Sequence, residues 1–360
     1  MKERKTYYIA WLFFIFITGC VEPYQIETTT FTSALVIEAT ITNEYKYQEI
    51  KLTRSFAFET DESQNESNAD VKIIDDQKSY DFQETSPGNY ISTEQFSANP
   101  NNNYQLHITT SNDEQYISKK TQLTNSSQID DVYVLHETNN SGVEEFNIYV
   151  DSYEPSGNSK YYRYEYEETY KIVAPYWSRK ELIVTSDTYP YQVELIEKES
   201  KDQQVCYDTN YSNTIIQTET TSLTEDRVSK FLIRKIQTNN YIVSHRYSIL
   251  VKQYVQSLEA YTFYKTLNKF SNNESLFSQN QPGFFNGNVH SVNNSNEKVL
   301  GFFEVSSVST KRIFFNFRDY FTSENPFAVP CEIFAPLLYD PYSEDSPLVA
   351  EIKNKNLMFY

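Results

Sequence analysis

Residues 161–167 read Tyr161-Tyr162-Arg163-Tyr164-Glu165-Tyr166-Glu167, so tyrosines alternate with charged residues from Tyr162 onward. Successive side chains of a strand point to opposite faces, and a period of two therefore predicts a β-strand with one solvated face. The composition agrees, with 31 tyrosines and 24 phenylalanines but 7 glycines. Aromatic residues suit the pleated, half-buried surface of a sheet. We therefore expect an all-β protein.

Toward the N-terminus, short alternating runs are separated by turns. Residues 35–41 are apolar at every second position, and residues 86–89 (Ser-Pro-Gly-Asn) carry proline and glycine where a tight turn requires them. Short strands joined by turns are typical of a β-sandwich. We predict an immunoglobulin-like β-sandwich at residues 33–123, with a domain boundary in the polar segment 124–128.

Toward the C-terminus, the strand pattern continues and predicts a larger β domain over residues 129–360. One helix is expected near residues 257–270. Ser257 can cap its N-terminus, and Glu259 lies in the first turn, where the helix dipole favours an anion. Its apolar face would be formed by Leu258, Tyr261, Tyr264, Leu267 and Phe270. The predicted fold is therefore mostly β with one helix.

The first twenty residues have the pattern of a bacterial lipoprotein signal. Three cations precede an apolar run at residues 9–17, which Thr18-Gly19-Cys20 follows. The run is shorter than the roughly 20 residues that a membrane-spanning helix needs. We predict a signal peptide at residues 1–19, lipidation of Cys20, and a flexible tether at residues 20–32. The alternative is an ordinary signal peptide with a chance cysteine.

Two further cysteines, Cys206 and Cys331, follow the predicted anchor. In an exported protein such a pair is typical of a disulfide. The alternative is two unrelated thiols. Neither cysteine belongs to a Cys-x-x-Cys pair, so the sequence offers no redox motif or zinc site.

The charge balance excludes one class of partner. The formal net charge is −18, and no basic cluster interrupts it. A surface this acidic repels nucleic acid, so we expect no nucleic-acid partner. It keeps a tethered protein soluble.

No motif predicts catalysis, a metal site or a cofactor. The histidines are His107, His136, His245 and His290, and no two have the spacing of a metal motif. Nucleophile elbows and phosphate-binding glycine loops are absent from the sequence. A glycosidase needs only two carboxylates several ångströms apart, which a sequence does not exclude. We predict a protein that is not an enzyme, without catalytic residues or cofactors.

Several short motifs follow one another in a fixed order along the chain. The N-terminal motifs are Leu35-Val36-Ile37-Glu38-Ala39 and Ser86-Pro87-Gly88-Asn89-Tyr90. The C-terminal ones are Tyr247-Ser248-Ile249-Leu250-Val251, Ser257-Leu258-Glu259-Ala260-Tyr261, Gly287-Asn288 and Val299-Leu300-Gly301-Phe302-Phe303. Two further motifs are Cys206-Tyr207 and Pro330-Cys331. The ordered series resembles a family of bacterial lipoproteins known as domain of unknown function 4249.

The resemblance implies an outer-membrane lipoprotein of the Bacteroidota, encoded beside a TonB-dependent transporter. The expected function is that of a non-enzymatic accessory subunit that docks on this TonB-dependent barrel. The alternative is a surface lipoprotein that binds a glycan, a peptide or another nutrient, with exposed aromatic residues stacking on the ligand. Glu22 and Glu27, close to the anchor, favour the cell surface over the periplasmic face.

Overall fold

A computed structural model describes residues 33–56, 64–174, 177, 179–186, 188, 190, 192–199, 204–271 and 287–322. The predicted signal peptide, the tether, Cys20 and Cys331 lie outside these residues. The described part is mostly β with one α-helix, as predicted from the sequence.

The strands are numbered in chain order. They are β1 (Leu35–Thr42), β2 (Glu49–Arg54), β3 (Gln64–Asn65), β4 (Asp70–Ile74), β5 (Ser79–Ser86), β6 (Asn89–Ser92), β7 (Asn103–Thr109), β8 (Gln115–Ser118), β9 (Thr121–Gln122), β10 (Ile129–Thr138), β11 (Glu144–Tyr153), β12 (Tyr161–Val173), β13 (Lys180–Ser186), β14 (Gln192–Glu197), β15 (Val205–Tyr211), β16 (Ile216–Glu219), β17 (Arg227–Gln237), β18 (Arg246–Val255), β19 (Val289–Ser291), β20 (Val299–Ser306) and β21 (Val308–Asn316). The helix is α1 (Leu258–Ser271), and two short 3-10 turns lie at Tyr241–Val243 and Phe317–Asp319.

The first sheet combines strands from both ends of the described chain. Its order is β19-β8-β7-β4-β5-β6-β2-β1-β20, with β3 on β2 and β9 on β7. β20 pairs in parallel with β1 over their whole length, from Leu35 opposite Val299 to Thr42 opposite Ser306. The predicted unit at residues 33–123 therefore does not contain its entire sheet. The immunoglobulin-like arrangement is not confirmed, because these strands form one hydrogen-bonded path rather than two separate sheets.

The two end strands of this sheet meet through a side-chain amide. Asn288, just before β19, donates to the carbonyl of Phe303 on β20 at 2.8 Å and accepts from its N–H at 2.7 Å. The buried amide thus satisfies both backbone groups, as a neighbouring strand would. The Gly287-Asn288 motif joins the sheet's two ends.

The remaining large sheets enclose a second core. One has the order β15-β12-β18-β21, with β16 also on β12, and the other has the order β10-β11-β17. The strand predicted from residues 161–167 is the central β12, and its even-numbered tyrosines are buried in this core. The core tyrosines of β12 are Tyr162, Tyr164, Tyr166 and Tyr170.

The predicted boundary at residues 124–128 is held between the two cores. Thr124 donates from its hydroxyl to the carbonyl of Val255 at 2.8 Å and accepts from the N–H of Ser307 at 2.9 Å. Ser307 separates β20, in the first sheet, from β21, in the second. The segment is therefore hydrogen-bonded to the residue at which the chain passes from the first sheet to the second.

α1 lies at the predicted position, and the hydroxyl of Ser257 accepts from the N–H of Ala260 at 3.1 Å. Its buried residues are Ala260, Tyr261 and Phe263, whereas Leu258 is exposed. The expectation that Leu258 lies on the buried face is wrong. The face is set by Phe302 of β20, whose ring lies 5.4 Å from that of Phe263.

Candidate functional site

Besides Glu168, which pairs with Arg234 of β17, Arg163 is the buried charged residue of β12. It lies on the face opposite the tyrosine core, yet its side chain is 9% exposed. One guanidinium nitrogen donates to Glu304 of β20 at 3.1 Å, and another donates to Glu165, two residues along the strand. Glu304 is buried as well, with its second oxygen accepting from Gln256 at 3.3 Å. A charged pair thus joins the first sheet to the second.

Two tyrosine rings enclose this guanidinium. The Arg163 carbon Cζ lies 4.4 Å from the ring centroid of Tyr254, on β18, and 5.1 Å from that of Tyr264, on α1. Cation–π contacts of this kind are strongest when water is excluded. Tyr254 also donates from its hydroxyl to Glu165 at 3.1 Å. Four elements of the fold therefore converge on one cation.

The electrostatics keep the cluster ionised. Burial alone lowers the pKa of Arg163, but the carboxylates of Glu304 and Glu165 outweigh burial and raise that pKa above its ordinary value. Burial raises the pKa of the Tyr254 and Tyr264 phenols. At neutral pH the guanidinium is charged and both phenols are neutral.

A pocket of about 290 Å³ lies over this cluster and opens to solvent; we call it the Arg163 pocket. It is located where β15 ends and β16 begins, because residues 212–215 leave the sheet between these two strands. The inner lining comes from Arg163, Glu165, Lys252 and Tyr264. The rim comes from Tyr211, Asn213 and Thr214, among others.

The inner and outer residues of the pocket differ in their hydrogen bonding. Arg163 and Glu165 bind each other and their neighbours. By contrast, the polar groups of Lys252, Asn213 and Thr214 have no side-chain partner in the described part of the chain. These residues leave donors and acceptors for a bound molecule. The arrangement is suited to reversible, non-covalent binding.

A second hollow, of about 530 Å³, lies at the end of β10 and β11. Its lining includes Glu137, which accepts hydrogen bonds from the Tyr149 hydroxyl at 2.6 Å and the Asn147 amide at 2.7 Å. Lys230 donates to its other oxygen at 2.9 Å. Together these contacts lower the pKa of Glu137 to about 2, and the hydrogen bond from Tyr149 contributes most. The hollow is wide, and both of its carboxylates already have partners, since Glu145 accepts from Asn139 and pairs with Lys235, so we consider it a weaker candidate.

The residues predicted from the sequence do not form a common site. Cys206 lies exposed on β15 and forms no disulfide with a described residue, whereas Cys20 and Cys331 lie outside the described residues. The disulfide therefore stays a prediction. Within the described ranges no group of three or more histidine, cysteine, aspartate or glutamate side chains could hold a metal ion. In the same ranges no helix is both long and apolar enough to cross a membrane.

The sequence did not indicate that Glu304, Lys252 and Tyr264 belong to the surroundings of the Arg163 pocket, and it placed Tyr264 only on the apolar face of the helix. Arg163 was assigned to a solvated face because its partners come from distant parts of the chain. The signal that was available is the position of Glu304 inside the apolar run 299–305, where an isolated carboxylate requires a buried cation.

No curated protein matches the chain. The sequence model of one family, described as domain of unknown function (DUF4249), matches residues 21–312, which include the first core, the buried residues of the second core except Phe315, and the Arg163 pocket. The chain belongs to the DUF4249 family.

Proposed function

We propose that the protein is a non-enzymatic accessory subunit of a TonB-dependent transporter system, anchored in the outer membrane through a lipid on Cys20. The sequence resemblance supports this proposal, since it implies lipoproteins encoded beside such transporters. The acidic residues Glu22 and Glu27 support the cell surface as the location.

The structural observation that carries the docking role is the free edge of β15. This strand pairs with β12 on one side, and no described strand pairs with its other side. Tyr207 and Tyr211 are 67% and 68% exposed. Ser212 donates its N–H to the carbonyl of Tyr166, and residues alternate along a ladder, so the backbone groups of Tyr207 and Tyr211 point away from β12.

Such an edge can accept an extended segment of another protein as an additional strand. The barrel partner would supply that segment. The net charge of −18 favours a segment that carries lysine or arginine, because complementary charge accelerates association and disfavours wrong partners.

The test is affinity purification of the tagged protein from detergent-solubilised outer membranes, read by mass spectrometry. We expect a TonB-dependent barrel in stoichiometric amount. Tyr207→Pro removes an outward N–H, which an edge strand tolerates, and should abolish recovery of the barrel. Tyr207→Ala keeps the N–H and serves as the matched control. Recovery of the lipoprotein alone, under conditions that preserve barrel complexes, would refute the accessory role.

The second candidate function is capture of a glycan or another nutrient, and the Arg163 pocket favours it. The pocket combines an exposed tyrosine ring with polar groups that lack partners in the described chain. Concave sites with a few convergent polar groups are the usual place for small ligands.

A further inference from the structure

We propose that the Arg163 pocket binds a neutral saccharide and accommodates one end of a glycan chain. This inference rests on the second proposed function, ligand capture in the same pocket, and it specifies the chemical class of the ligand.

The size of the pocket limits the ligand to a small unit. Its volume of about 290 Å³ lies at the lower end of the range for small-molecule sites, which begins at about 300 Å³. A site of this size accommodates one or two sugar rings. Because the pocket opens to solvent, the rest of a longer glycan can extend outward.

The charges around the pocket favour a neutral ligand. Arg163 and Lys252 carry two positive charges, which Glu165 and Glu304 balance. The protein as a whole carries −18, which repels anions at longer range. A cationic ligand would compete for aromatic faces that the guanidinium of Arg163 already occupies.

The groups left without partners suit hydroxyl groups. The Lys252 ammonium offers donors, the Thr214 hydroxyl donates and accepts, and the Asn213 amide does both. None of the three has a side-chain partner among the residues that the structure describes. Sugar hydroxyls both donate and accept, so they match this mixture better than a purely anionic or apolar ligand.

The ring of Tyr211 supplies the apolar contact. Tyr211 lies at the end of β15 with 68% of its surface exposed, at the rim of the pocket. A tyrosine ring offers a rigid apolar face at a low entropic cost. The C–H face of a sugar ring would stack on it while the hydroxyls reach Lys252 and Asn213.

The experiment uses the full chain in detergent on an array of neutral oligosaccharides of glucose, galactose, mannose and N-acetylhexosamines, with uronic-acid oligosaccharides beside them. Ligands found on the array are then measured by isothermal titration calorimetry. Tyr211→Ala and Lys252→Met should each weaken binding about three- to tenfold. Tyr207→Ala is the matched control, since Tyr207 lies on the same face of β15, is equally exposed and does not line the pocket.

The possible outcomes distinguish the neutral-saccharide inference from ligand capture, the second proposed function on which it rests. Binding of a neutral oligosaccharide that Tyr211→Ala weakens and Tyr207→Ala leaves unchanged supports both. Binding restricted to uronic-acid oligosaccharides, and still sensitive to Tyr211→Ala, overturns the neutral class but keeps ligand capture. If no oligosaccharide binds, the saccharide inference is overturned, whereas capture of another nutrient is not. If Tyr211→Ala and Tyr207→Ala behave alike, binding in the Arg163 pocket is overturned.

Discussion

Arg163 stands where the period-two pattern of β12 predicts a solvated side chain, and it is buried instead. The residue is covered because α1 and β20 pack on this face of the second sheet. An ion pair in such a place gains less than its Coulomb attraction suggests, since both ions lose hydration. Breaking it is nevertheless costly, because one charge then remains buried without its partner.

We predict that Glu304→Gln lowers the free energy of unfolding by about 3 kcal/mol. The neutral amide no longer compensates the buried guanidinium of Arg163, which keeps only the more exposed carboxylate of Glu165. The matched control is Glu38→Gln, which removes a carboxylate from an exposed pair with Lys51 and should cost about 0–1 kcal/mol. Urea denaturation measures both variants. Equal losses of unfolding free energy in the two variants would contradict the claim that Glu304 compensates the buried charge of Arg163.

Glu137 provides a prediction about acid stability. Its pKa is held at about 2, below the ordinary value of 4.5, because Tyr149, Asn147 and Lys230 donate to the ionised form. A lowered folded-state pKa contributes stability that is present above pH 4.5 and is lost as the pH falls toward about 2. Glu137→Gln should therefore unfold more easily than the unmodified protein at pH 6, and the difference should shrink across this window.

Thermal unfolding followed by circular dichroism at pH 6, 4, 3 and 2 measures this convergence. Glu49→Gln is the control, since Glu49 is exposed and has no side-chain partner among the described residues. A gap between Glu137→Gln and the unmodified protein that stays constant with pH would show that the hydrogen bonds to Glu137 do not depend on its charge.

At the scale of elements, β20 connects the first sheet to the second sheet and to α1. It pairs with β1, carries Glu304 to Arg163, packs Phe302 against α1 and meets the side chain of Asn288. Close backbone approach makes this possible at Gly301, which has φ +112° and lies against Ile37. A Cβ at this position would lie 2.0 Å from the carbonyl oxygen of Ile37.

Gly301→Ala should therefore destabilise the protein by about 2–4 kcal/mol, through backbone strain and the clash with β1. Gly142→Ala is the control, because Gly142 also has a positive φ of 79° but faces open space. It should cost about 1 kcal/mol. Chemical denaturation measures the stability of both variants, and the difference between their losses is the contribution of the contact with Ile37. Similar losses would show that the positive φ alone accounts for the destabilisation.

The position of Cys206 on β15 is relevant to the predicted disulfide with Cys331. Cys206 lies opposite Ile172, and the backbone of Phe317 bonds to His245 at the same end of the sheet. Three strand spacings, from β15 across β12 and β18 to the end of β21, separate Cys206 from Phe317 by about 14 Å. The 14 residues from Phe317 to Cys331 have a maximum reach of about 46–50 Å, so the chain is long enough for the pairing.

We predict a Cys206–Cys331 peptide in a non-reducing digest. Reduction should lower the melting temperature, since a disulfide that closes a loop of about 125 residues contributes about 4–5 kcal/mol in chain-entropy models. Cys206→Ser should melt at the same temperature with and without reductant. A free Cys206 thiol in protein purified from the oxidising compartment would disprove the pairing.

At the scale of the whole molecule, the two cores depend on each other. Val289, Val299, Phe303 and Val305, all from the C-terminal part of the chain, belong to the core of the first sheet. A fragment of residues 33–123 lacks β19 and β20 and leaves that core open. We predict that this fragment does not unfold cooperatively by circular dichroism.

The same fragment joined to residues 287–306 by a glycine-serine linker restores both strands and should fold. Dispersed amide signals in its proton–nitrogen NMR spectrum would show this directly. A cooperative transition of residues 33–123 alone would instead establish an independent N-terminal domain.

The lipid anchor is a second property of the whole molecule. Cys20→Ala should move the protein from the detergent phase to the aqueous phase in a phase-separation assay, because one lipidated cysteine supplies all of the predicted membrane affinity. Cys206→Ala is the control and should remain in the detergent phase. Retention of the Cys20→Ala protein in the detergent phase would contradict anchoring through Cys20.

The sequence alone determined the fold class, the position of α1 and the central strand at residues 161–167. These features depend on local chemistry: a period of two places the tyrosines of β12 on one face, and Ser257 satisfies the first free N–H groups of α1. Membership in the family was also visible in short, ordered motifs, because the chain order of such motifs survives without knowledge of their contacts.

Only the tertiary structure decided which strands share a sheet and which charges are buried. β1 and β20 pair although about 260 residues separate them, and no local pattern encodes a parallel partner at that distance. The same pairing brings Glu304 to Arg163, and the pocket over this pair is lined by β12, β18, α1 and residues 211–215. Periodicity reports the two faces of a strand, whereas burial depends on what packs against each face.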